Sequence, residues 1–505
     1  MARHWWQDAV IYQIYPRSFL DRSGDGIGDL EGVTEQLDYL TWLGVDGIWL
    51  SPIFPSPMAD FGYDVSDYCD IDPVFGDLEA FDHLMAGAHR RGLKVLLDWV
   101  PNHTSSQHPW FRAARRSTQD PHRDFYIWRP SAEDGGPPNN WVRSWSDQPA
   151  WTFDEASEEW YLHCFLPEQP DLNWASPAVR SAMADTLRFW LDRGVDGFRM
   201  DVIHLIGKDP SLGDDPADLA ALSHVPLNDR PETHEYLREL RSVLDSYEGD
   251  RMAVGEVYLL DPAQVLEYGG QGDELHLCFN FEPLMTPWRA ERWREVLLRN
   301  DDDGGHVGRW PTMVLNNHDN PRLRTRVGGS DGRARVAAAI LLLARGTPFL
   351  YAGEELGLED GELASTERID PGGRDGCRRP IPWTPMSPHG WSSATPWLPF
   401  PPHAKERAVS VQRDDPSSML SWYRTLLMLR RSEPALVEGR FELLESPDEV
   451  VAFARDDGRT RLEIWCNFSH RQIDCSLEGV VLASSVGDSG GGVLAGDAAI
   501  VIKKP

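Results

Sequence analysis

The 505-residue sequence predicts an α/β fold: a (β/α)8 (TIM) barrel with an inserted subdomain after strand 3 and a C-terminal antiparallel β domain. Three observations predict it. Eight short apolar runs alternate with helical patterns, a long irregular stretch follows the third run, and short alternating runs fill the chain after residue 435. Strands that are apolar on both faces are typical of a parallel sheet covered by helices, and eight such strand–helix units can close a barrel.

The strands and helices of the barrel follow each other in regular order. The first helical pattern, at 33–44, repeats apolar residues at helical spacing, and the third opens with a Ser-Pro pair that suits a helix start. The helical pattern after the fifth strand is short, at 261–269. We predict strands at 9–15, 47–50, 94–99, 197–202, 252–257, 275–281, 311–317 and 347–353.

Two irregular stretches interrupt this order. Residues 104–175 are rich in Trp, Pro, Asn and charge, and residues 354–415 are rich in Gly, Pro and Arg. Loops of this length inside a compact domain are usually functional. We therefore expect residues 1–103 and 176–435 to form the barrel, 104–175 the inserted subdomain, and 436–505 the C-terminal β domain.

The amino-acid composition disfavours some classes of binding partner and indicates the cellular compartment. The chain has 49 Lys and Arg against 80 Asp and Glu, a net charge of −31, which disfavours binding to nucleic acid or to an anionic membrane. Its six cysteines show no CxxC pairing, which suggests reduced thiols in a cytoplasmic protein. No signal-peptide pattern or membrane-spanning run is present in the sequence. We expect a monomer or homodimer without an organic cofactor.

Carboxylates mark the ends of four predicted strands. The motifs are DWVPNH at 98–103, GFRMD at 197–201, GEV at 255–257 and NNHD at 316–319. Active groups of a barrel lie where strands end and loops begin, so these side chains should meet at one face. One such carboxylate could simply cap a strand, but four at the same relative position favour a catalytic site.

The chemistry of this cluster fits glycoside cleavage. That reaction needs one proton donor and one nucleophile on either side of the scissile bond, together with groups that grip ring hydroxyls. Asp, Glu and His are also metal ligands. Against a metal, Arg199 lies two residues before Asp201, and its charge would compete with a cation and keep Asp201 ionised.

The four motifs resemble the signature regions of glycoside hydrolase family 13, the α-amylase family, and QPDLNW at 169–174 resembles its fifth region. The opening AVIYQIYPRSFLDRSGDGIGDL and the segment DFGYDVSDY look like the α-glucosidase and oligo-1,6-glucosidase branch. The resemblance implies a retaining, exo-acting α-glucosidase. Such an enzyme removes terminal α-linked glucose from short α-glucosides through a covalent glucosyl-Asp intermediate, and it allows transglucosylation.

The resemblance also assigns catalytic roles by position. It makes Asp201 the nucleophile, Glu256 the acid/base and Asp319 the third carboxylate, which binds the hydroxyls at C2 and C3. The resemblance further implies substrate-binding roles for Asp60, Tyr63, His103, Arg199, His318 and Arg379. Asp60 and Arg379, in GCRRPIPW, would close the pocket at the C4 hydroxyl of the terminal glucose, with Arg378 as a neighbouring alternative.

Two questions stay open in the sequence. Val202 follows the nucleophile, where Val in the resembling branch often accompanies α-1,6 or mixed linkages and Thr accompanies α-1,4. His204 stands where relatives often have Asn, which leaves open a sucrose- or maltose-acting glucosyltransferase or isomerase. A non-catalytic member that binds a protein partner is disfavoured, because all three catalytic carboxylates are present.

The segment DRSGDGIGD at 21–29 places oxygen atoms at alternating positions. Its spacing suits a hard cation, and relatives bind calcium at this loop, so we predict a structural Ca²⁺ away from catalysis. The alternative is a Gly-rich turn with Asp caps. The predicted ligands are Asp21, Ser23, Asp25, the Ile27 carbonyl and Asp29.

Overall fold

A computed structural model describes residues 3–301, 310–364, 366, 368–487 and 492–505. In this part of the chain, eight parallel strands form one sheet in the order β7-β8-β1-β2-β3-β4-β5-β6. The strands are β1 (Ile11–Ile14), β2 (Gly47–Leu50), β3 (Lys94–Trp99), β4 (Gly197–Met200), β5 (Met252–Gly255), β6 (Leu277–Cys278), β7 (Thr312–Val314) and β8 (Thr347–Tyr351). The predicted barrel is confirmed.

Side-chain hydrogen bonds join the two end strands, β6 and β7. The Thr312 hydroxyl donates to the carbonyl of Cys278 and accepts from the amide of Asn280, both at 2.9 Å. Several strands are shorter than predicted, most clearly β6, with two residues in place of seven. β4 and β5 each end one residue before Asp201 and Glu256, so these two carboxylates stand on the loops rather than in the sheet.

The barrel helices follow the predicted order with one difference. The first pattern forms two helices, because Gln36 leaves the helical conformation between them. The barrel helices are Leu30–Glu35, Leu37–Leu43, Leu78–Arg90, Pro177–Asp192, Pro231–Asp245, Pro262–Val265, Ala290–Asp301, Asp331–Leu343 and Met419–Ser432. Other short helical segments are Trp5–Asp8, Pro16–Ser18, Pro109–Arg116, Pro121–Phe125, Ile203–Leu205, Val225–Leu227, Leu266–Gly269, Glu282–Met285, Leu323–Arg326, Val409–Arg413 and Ala435–Glu438.

A small antiparallel sheet lies between β3 and the helix Pro177–Asp192. Its strands are Trp128–Arg129, Glu159–Leu162 and Trp151–Asp154, in that spatial order. A β-bridge between His103 and Asp171 ties the end of this stretch to the loop after β3. The insertion therefore stands beside the strand end that carries the DWVPNH motif.

A five-stranded antiparallel sheet follows the barrel. Its spatial order is Arg440–Leu443, Val450–Asp456, Arg461–Asn467, Ala499–Lys503 and Val480–Ser484, with a separate pair, Ile473–Asp474 and Val493–Leu494. This is the predicted C-terminal antiparallel domain. The exact boundaries between the three units stay a prediction.

The helix Asp331–Leu343 connects the barrel to this sheet. Its residues from Val336 to Leu343 are buried on every face, and it packs against the helix Met419–Ser432 and the strand Arg461–Asn467. Arg430 and Arg455 donate to its last carbonyls, those of Leu342 and Leu343, at 2.8 and 3.1 Å. These bonds satisfy acceptors that an α-helix leaves open at its C-terminus. Among the helices that the structure describes, none is long and apolar enough to cross a bilayer.

Candidate active site

Arg199 lies at the centre of the carboxylate cluster. It is on β4, is buried, and has one Nη1 atom 2.7 Å from both Asp98 Oδ1 and Asp201 Oδ1. Its other terminal nitrogen, Nη2, lies 2.5 Å from Glu256 Oε2. One guanidinium thus contacts three carboxylates from the ends of β3, β4 and β5. The predicted meeting of Asp201 and Glu256 at one face of the barrel agrees with this geometry.

Backbone bonds fix the two catalytic loops against each other. The amide of Asp201 donates to the Trp99 carbonyl at 2.9 Å, and the amide of Glu256 donates to the Met200 carbonyl at 2.9 Å. Val202 has the left-handed angles φ 34° and ψ 43°, which are unusual for a β-branched residue and cost about 1–3 kcal/mol. In this conformation its amide lies 3.3 Å from Glu256 Oε2.

The electrostatics of Asp201 differ from the sequence expectation. We expected Arg199 to keep Asp201 ionised by lowering its pKa. Instead, burial raises the pKa of Asp201 well above its ordinary value, and the carboxylates of Glu256 and Asp98 raise it further. Arg199 opposes this, but it divides its charge among three acids. Burial likewise raises the pKa of Asp98, to about 6, with Arg199 opposing it.

The pKa of Asp319 shifts in the opposite direction. Burial disfavours its ionised form, but the surrounding charges outweigh that effect and lower the pKa of Asp319. Two arginines bind the same oxygen, Oδ1: Arg374 Nη1 and Arg378 Nη2 both lie 3.0 Å from it. The two arginines therefore favour the ionised form of Asp319.

The two histidines are buried and neutral. Burial lowers the pKa of His103 to about 4 and the pKa of His318 well below its ordinary value. His318 Nδ1 accepts from Gln13 Nε2 at 2.6 Å, so its proton lies on Nε2. That Nε2 faces Tyr63 Oη at 2.5 Å and Asp319 Oδ2 at 3.3 Å. A neutral ring with an oriented N–H can donate to a sugar hydroxyl without adding charge to the site.

Asp60 and Tyr63 line the same cavity, of about 400 Å³, as the three predicted catalytic acids. Asp60 is buried and accepts from Arg374 Nη2 at 2.5 Å and from Gln169 Nε2 at 3.2 Å. The Tyr63 hydroxyl donates to Asp98 Oδ2 at 3.0 Å. The Tyr63 ring lies 5.4 Å from the His318 ring, and the planes are nearly parallel at 4°. The predicted site residues on these loops are therefore brought together.

Arg379 is the exception and needs a correction. Its guanidinium donates to the carbonyls of Phe400 and Glu362 at 3.1 and 2.8 Å, and it does not line the cavity. Arg374 makes the expected contact with Asp60. The reason is Asp370, whose carboxylate accepts from Arg374 Nε at 2.8 Å and from Arg378 Nη1 at 3.1 Å and orients both chains.

Sequence reasoning missed several further residues. Asp98 stands in a quoted motif but received no role, although the spacing of Asp98 and Arg199 at neighbouring strand ends signals a pair. The Asp370, Arg374 and Arg378 spacing of four residues was a second usable signal. No sequence pattern pointed to the aromatic walls. Cavity-lining residues without a predicted role are Ser144, Trp145, Phe165, Val225, Tyr258, Phe281, Leu284, Met285, Asn317, Asn320 and Gly372.

His204 does not reach the cavity. It is fully buried, and its Nε2 lies 3.1 Å from the Val225 carbonyl. Its influence on substrate choice can therefore act only through the loop that it supports. Val202, in contrast, is a wall of the cavity beside Asp201.

Hydrogen bonds to its carboxylates hold the loop at 21–29 together. Asp21 accepts from the amides of Gly24 and Gly26 at 2.7 and 2.9 Å and from the Ser392 hydroxyl. Asp29 accepts from the amides of Ser23 and Gly32, and the amide of Ile27 donates to Asp25. Across the described ranges, no group of three His, Cys, Asp or Glu side chains is placed to hold a metal ion. The predicted ligands also include the Ser23 hydroxyl and the Ile27 carbonyl, and the calcium site stays a prediction.

The chain matches known proteins over nearly its whole length. Residues 13–439 match the family model "Alpha amylase, catalytic domain". A probable alpha-glucosidase of Rhizobium meliloti is 42% identical over 92% of this chain and 89% of its own, and an oligo-1,6-glucosidase of Parageobacillus thermoglucosidasius is 39% identical over 93% and 92%. The crystal structure of an alpha-glucosyl transfer enzyme is 41% identical, superposes with a TM-score of 0.93 and covers both chains completely.

The family assignment agrees with the geometry of the strand ends. The family model spans most of the chain, and the two relatives share about two fifths of its residues. The glycoside hydrolase chemistry inferred from paired acids is the chemistry of these relatives. This chain belongs to the α-amylase catalytic-domain family of glycoside hydrolases.

Proposed function

We propose that the protein is a retaining, exo-acting α-glucosidase that removes terminal α-linked glucose from short α-glucosides. One observation carries the proposal. Asp201 and Glu256 bind opposite nitrogens of the Arg199 guanidinium inside a cavity whose wall includes the buried Asp60–Arg374 pair. A nucleophile and a proton donor then face one scissile bond, and a charged clamp receives the ring at the end of the chain.

The roles follow from the positions. Asp201 attacks C1 of the glucose and forms an ester, while Glu256 gives its proton to the oxygen of the departing alcohol. In the second step Glu256 takes a proton from water, whose oxygen attacks C1 and releases Asp201. Since Arg199 contacts both acids, it holds the nucleophile in line and stabilises the charge that returns to it.

Retention of the anomer fits a short separation of the two acids. Retaining enzymes keep their carboxyl groups about 5–5.5 Å apart, whereas inverting enzymes keep them about 6.5–9.5 Å apart to admit a water. Here both carboxylates contact one planar guanidinium at 2.7 and 2.5 Å. That shared contact holds the two carboxylates close together, which supports the retaining mechanism.

Exo action rests on the polar clamp. Asp60 is bound by Arg374, which also binds Asp319, so one guanidinium links the pocket wall to the third carboxylate. A glucose hydroxyl can pair with these groups, but a further sugar at that position would leave them unpaired and buried, which is costly. Relatives named alpha-glucosidase and oligo-1,6-glucosidase support the same reading.

The second candidate is a glucosyltransferase or isomerase that acts on sucrose or maltose. The solved alpha-glucosyl transfer enzyme, 41% identical, is the observation in its favour. Both candidates form the same glucosyl-Asp201 ester and differ only in the alcohol that attacks it, water or a sugar. The family alone does not decide between them.

The test is product analysis with purified protein and maltose, isomaltose, sucrose, trehalose and a maltodextrin. Free glucose from the disaccharides supports the α-glucosidase, and a new disaccharide supports the transferase. Cleavage of only the maltodextrin, at internal bonds, would remove the exo-acting pocket from the proposal. The cytoplasmic compartment and the monomer or dimer state rest on the sequence alone. We also propose a structural calcium site at residues 21–29, which is supported by the spacing of the oxygen-bearing residues from Asp21 to Asp29.

A further inference from the structure

We propose that the protein has a second, non-catalytic site that binds a neutral saccharide. The site is a cleft between the three-stranded antiparallel sheet and the barrel, which we call the side cleft. Its volume is about 530 Å³, within the range of about 300–1,000 Å³ that is typical of small-molecule sites. Among the described residues, none lines both the side cleft and the catalytic cavity. The site therefore goes beyond the proposed function.

Two parts of the fold form the walls of the side cleft. One part is the three-stranded sheet, which contributes Trp128 and Glu159 from two paired strands. The other part belongs to the barrel. It contributes Lys208, from the loop after β4, and Glu232, from the first turn of the helix Pro231–Asp245. A ligand in the side cleft therefore touches both parts.

Arg123 holds the sheet wall in place. Its side chain is buried, and its guanidinium carbon lies 3.4 Å from the centre of the Trp128 ring. The same guanidinium binds the Glu159 carboxylate and donates to the Ala114 carbonyl at 3.0 Å. A guanidinium that stacks on an indole and pairs with a carboxylate fixes both of them. Because this wall is already ordered, a ligand loses less entropy when it binds there.

Two buried polar atoms on the walls have no hydrogen-bond partner in the part of the chain that the structure describes. They are Trp128 Nε1, which is a donor, and Glu232 Oε2, which is an acceptor. Arg230 Nε lies 3.5 Å from Glu232 Oε2, but the two atoms form no hydrogen bond. Buried polar groups are normally satisfied, so this pair points to a ligand that both accepts and donates. Hydroxyl groups do both.

The charges of the walls favour a neutral ligand. Three basic and four acidic side chains line the side cleft, so their charges nearly cancel. Two of the basic groups are already paired, Arg123 with Glu159 and Lys208 with Asp171, the latter at 3.0 Å. An anion or a cation would therefore meet groups of its own sign, which repel it. A neutral ligand avoids this repulsion.

The apolar part of the walls distinguishes a saccharide from other ligands. Ile127, Ile206, Leu212 and the ring of Tyr236 line the side cleft beside the charged groups. A purely apolar ligand would bury the polar groups without partners, which costs free energy. A saccharide covers apolar side chains with the C–H faces of its rings, and its hydroxyls can pair with Trp128 Nε1 and with Glu232.

The test is a titration with maltotriose while the catalytic cavity is blocked. Deoxynojirimycin, a basic analogue of glucose, is added in an excess that stops the hydrolysis of maltose, and calorimetry measures the remaining binding. We expect one further maltotriose per chain. Trp128→Phe, which removes the indole N–H, should raise the Kd about five-fold. Trp160→Phe is the matched control and should stay within about two-fold, because Trp160 Nε1 donates to Ser131 and Trp160 does not line the side cleft.

A second variant tests the site without changing the packing around Trp128. Glu232→Leu removes the open acceptor from a half-exposed helix position and should also raise the Kd about five-fold. Glu235→Leu is its control, because Glu235 lies on the same helix and does not line the side cleft. Glucose 6-phosphate, measured in the same way, should bind about three-fold or more weakly than glucose, since its phosphate meets the acidic side chains.

The outcomes separate this site from the catalytic one. Weaker binding in either variant, with both controls unchanged, supports the side cleft. No binding of maltotriose to the blocked protein overturns the site. Binding that neither Trp128→Phe nor Glu232→Leu weakens also overturns it, because the sugar then occupies another surface. Tighter binding of glucose 6-phosphate than of glucose overturns the neutral class of ligand.

Discussion

Arg374 binds Asp60 with 2.5 Å between Nη2 and Oδ1, and both side chains are buried. This pair joins the loop after β8 to the loop after β2. The same arginine reaches Asp319 with its other terminal nitrogen at 3.0 Å. The glucose pocket is thus closed by one forked side chain that a lysine cannot replace.

Replacing Arg374 by lysine should reduce the activity far more than the same replacement of Arg379. We expect Arg374→Lys to lower kcat/KM for maltose by about 10²-fold or more, because a point charge cannot hold Asp60 and Asp319 together. Arg379→Lys is the matched control and should stay within about three-fold of wild type, since Arg379 bonds to carbonyls outside the cavity. The reverse order of effects would restore Arg379 to the site.

Asp201→Asn should abolish turnover without weakening the fold. We expect kcat to fall by about 10⁴-fold or more, as for other residues that form the covalent intermediate. Thermal unfolding at pH 7.5 should show an equal or higher Tm. Because burial raises the pKa of Asp201, the folded state pays for its ionisation, and stability from this group is lost as pH rises through that pKa.

A drop in the Tm of Asp201→Asn at pH 7.5 would contradict this sign. Circular dichroism of the variant supplies the control for folding. Retained turnover near the wild-type rate would remove the nucleophile assignment altogether.

The pH below which kcat/KM falls should be higher than it would be if the carboxyl groups of the site had ordinary pKa values. The pKa of Asp98 is raised to about 6 and that of Asp201 is also raised, so the cluster around Arg199 takes up a proton as pH falls through about 6. That proton neutralises the nucleophile or its partner. We expect kcat/KM for methyl α-glucoside to fall below about pH 6, and a limb near pH 4 would contradict the arrangement.

Val202→Thr tests the linkage preference without changing backbone strain, since both residues are β-branched. Val202 lines the cavity beside Asp201 in a left-handed conformation. By the resemblance to α-glucosidases, we expect the maltose-to-isomaltose ratio of kcat/KM to rise, by roughly three-fold for one hydroxyl at the cavity wall. An unchanged ratio would show that other walls set the linkage.

The calcium site predicted at Asp21–Asp29 makes the stability of the fold depend on Ca²⁺, since a ligand that binds only the folded state stabilises it. We expect the Tm to be higher in millimolar Ca²⁺ than in chelator. An equal Tm would contradict the site and show that the amides and the hydroxyl that bind its carboxylates suffice.

The sequence predicted most of the fold and the strand-end acids because both follow from local patterns. The eight apolar runs predicted the positions of β1 to β8. A carboxylate that follows a barrel strand lies at the face of the barrel where the strands end. The same logic located Asp201, Glu256, Asp319 and the two histidines. Each lies within about five residues of the end of a strand, so little chain separates the pattern from the position.

The features of the site that the sequence did not predict depend on contacts between loops that are far apart in the sequence. Arg374, Arg378 and Arg379 lie within six residues of a long irregular loop, and Asp370 binds the first two of them, which both reach Asp319. The pKa of Asp201 was mispredicted for a similar reason. Arg199 was read as the partner of one acid, but the fold gives it three.

The stereochemistry of the first product tests the two-acid mechanism most directly. Proton NMR of methyl α-glucoside hydrolysis, recorded before mutarotation, reports which anomer of glucose is released. Two displacements through a glucosyl-Asp201 ester, with Glu256 as acid and then base, predict α-glucose as the initial product. Initial release of β-glucose would contradict it, because a single displacement by water would then have replaced the ester.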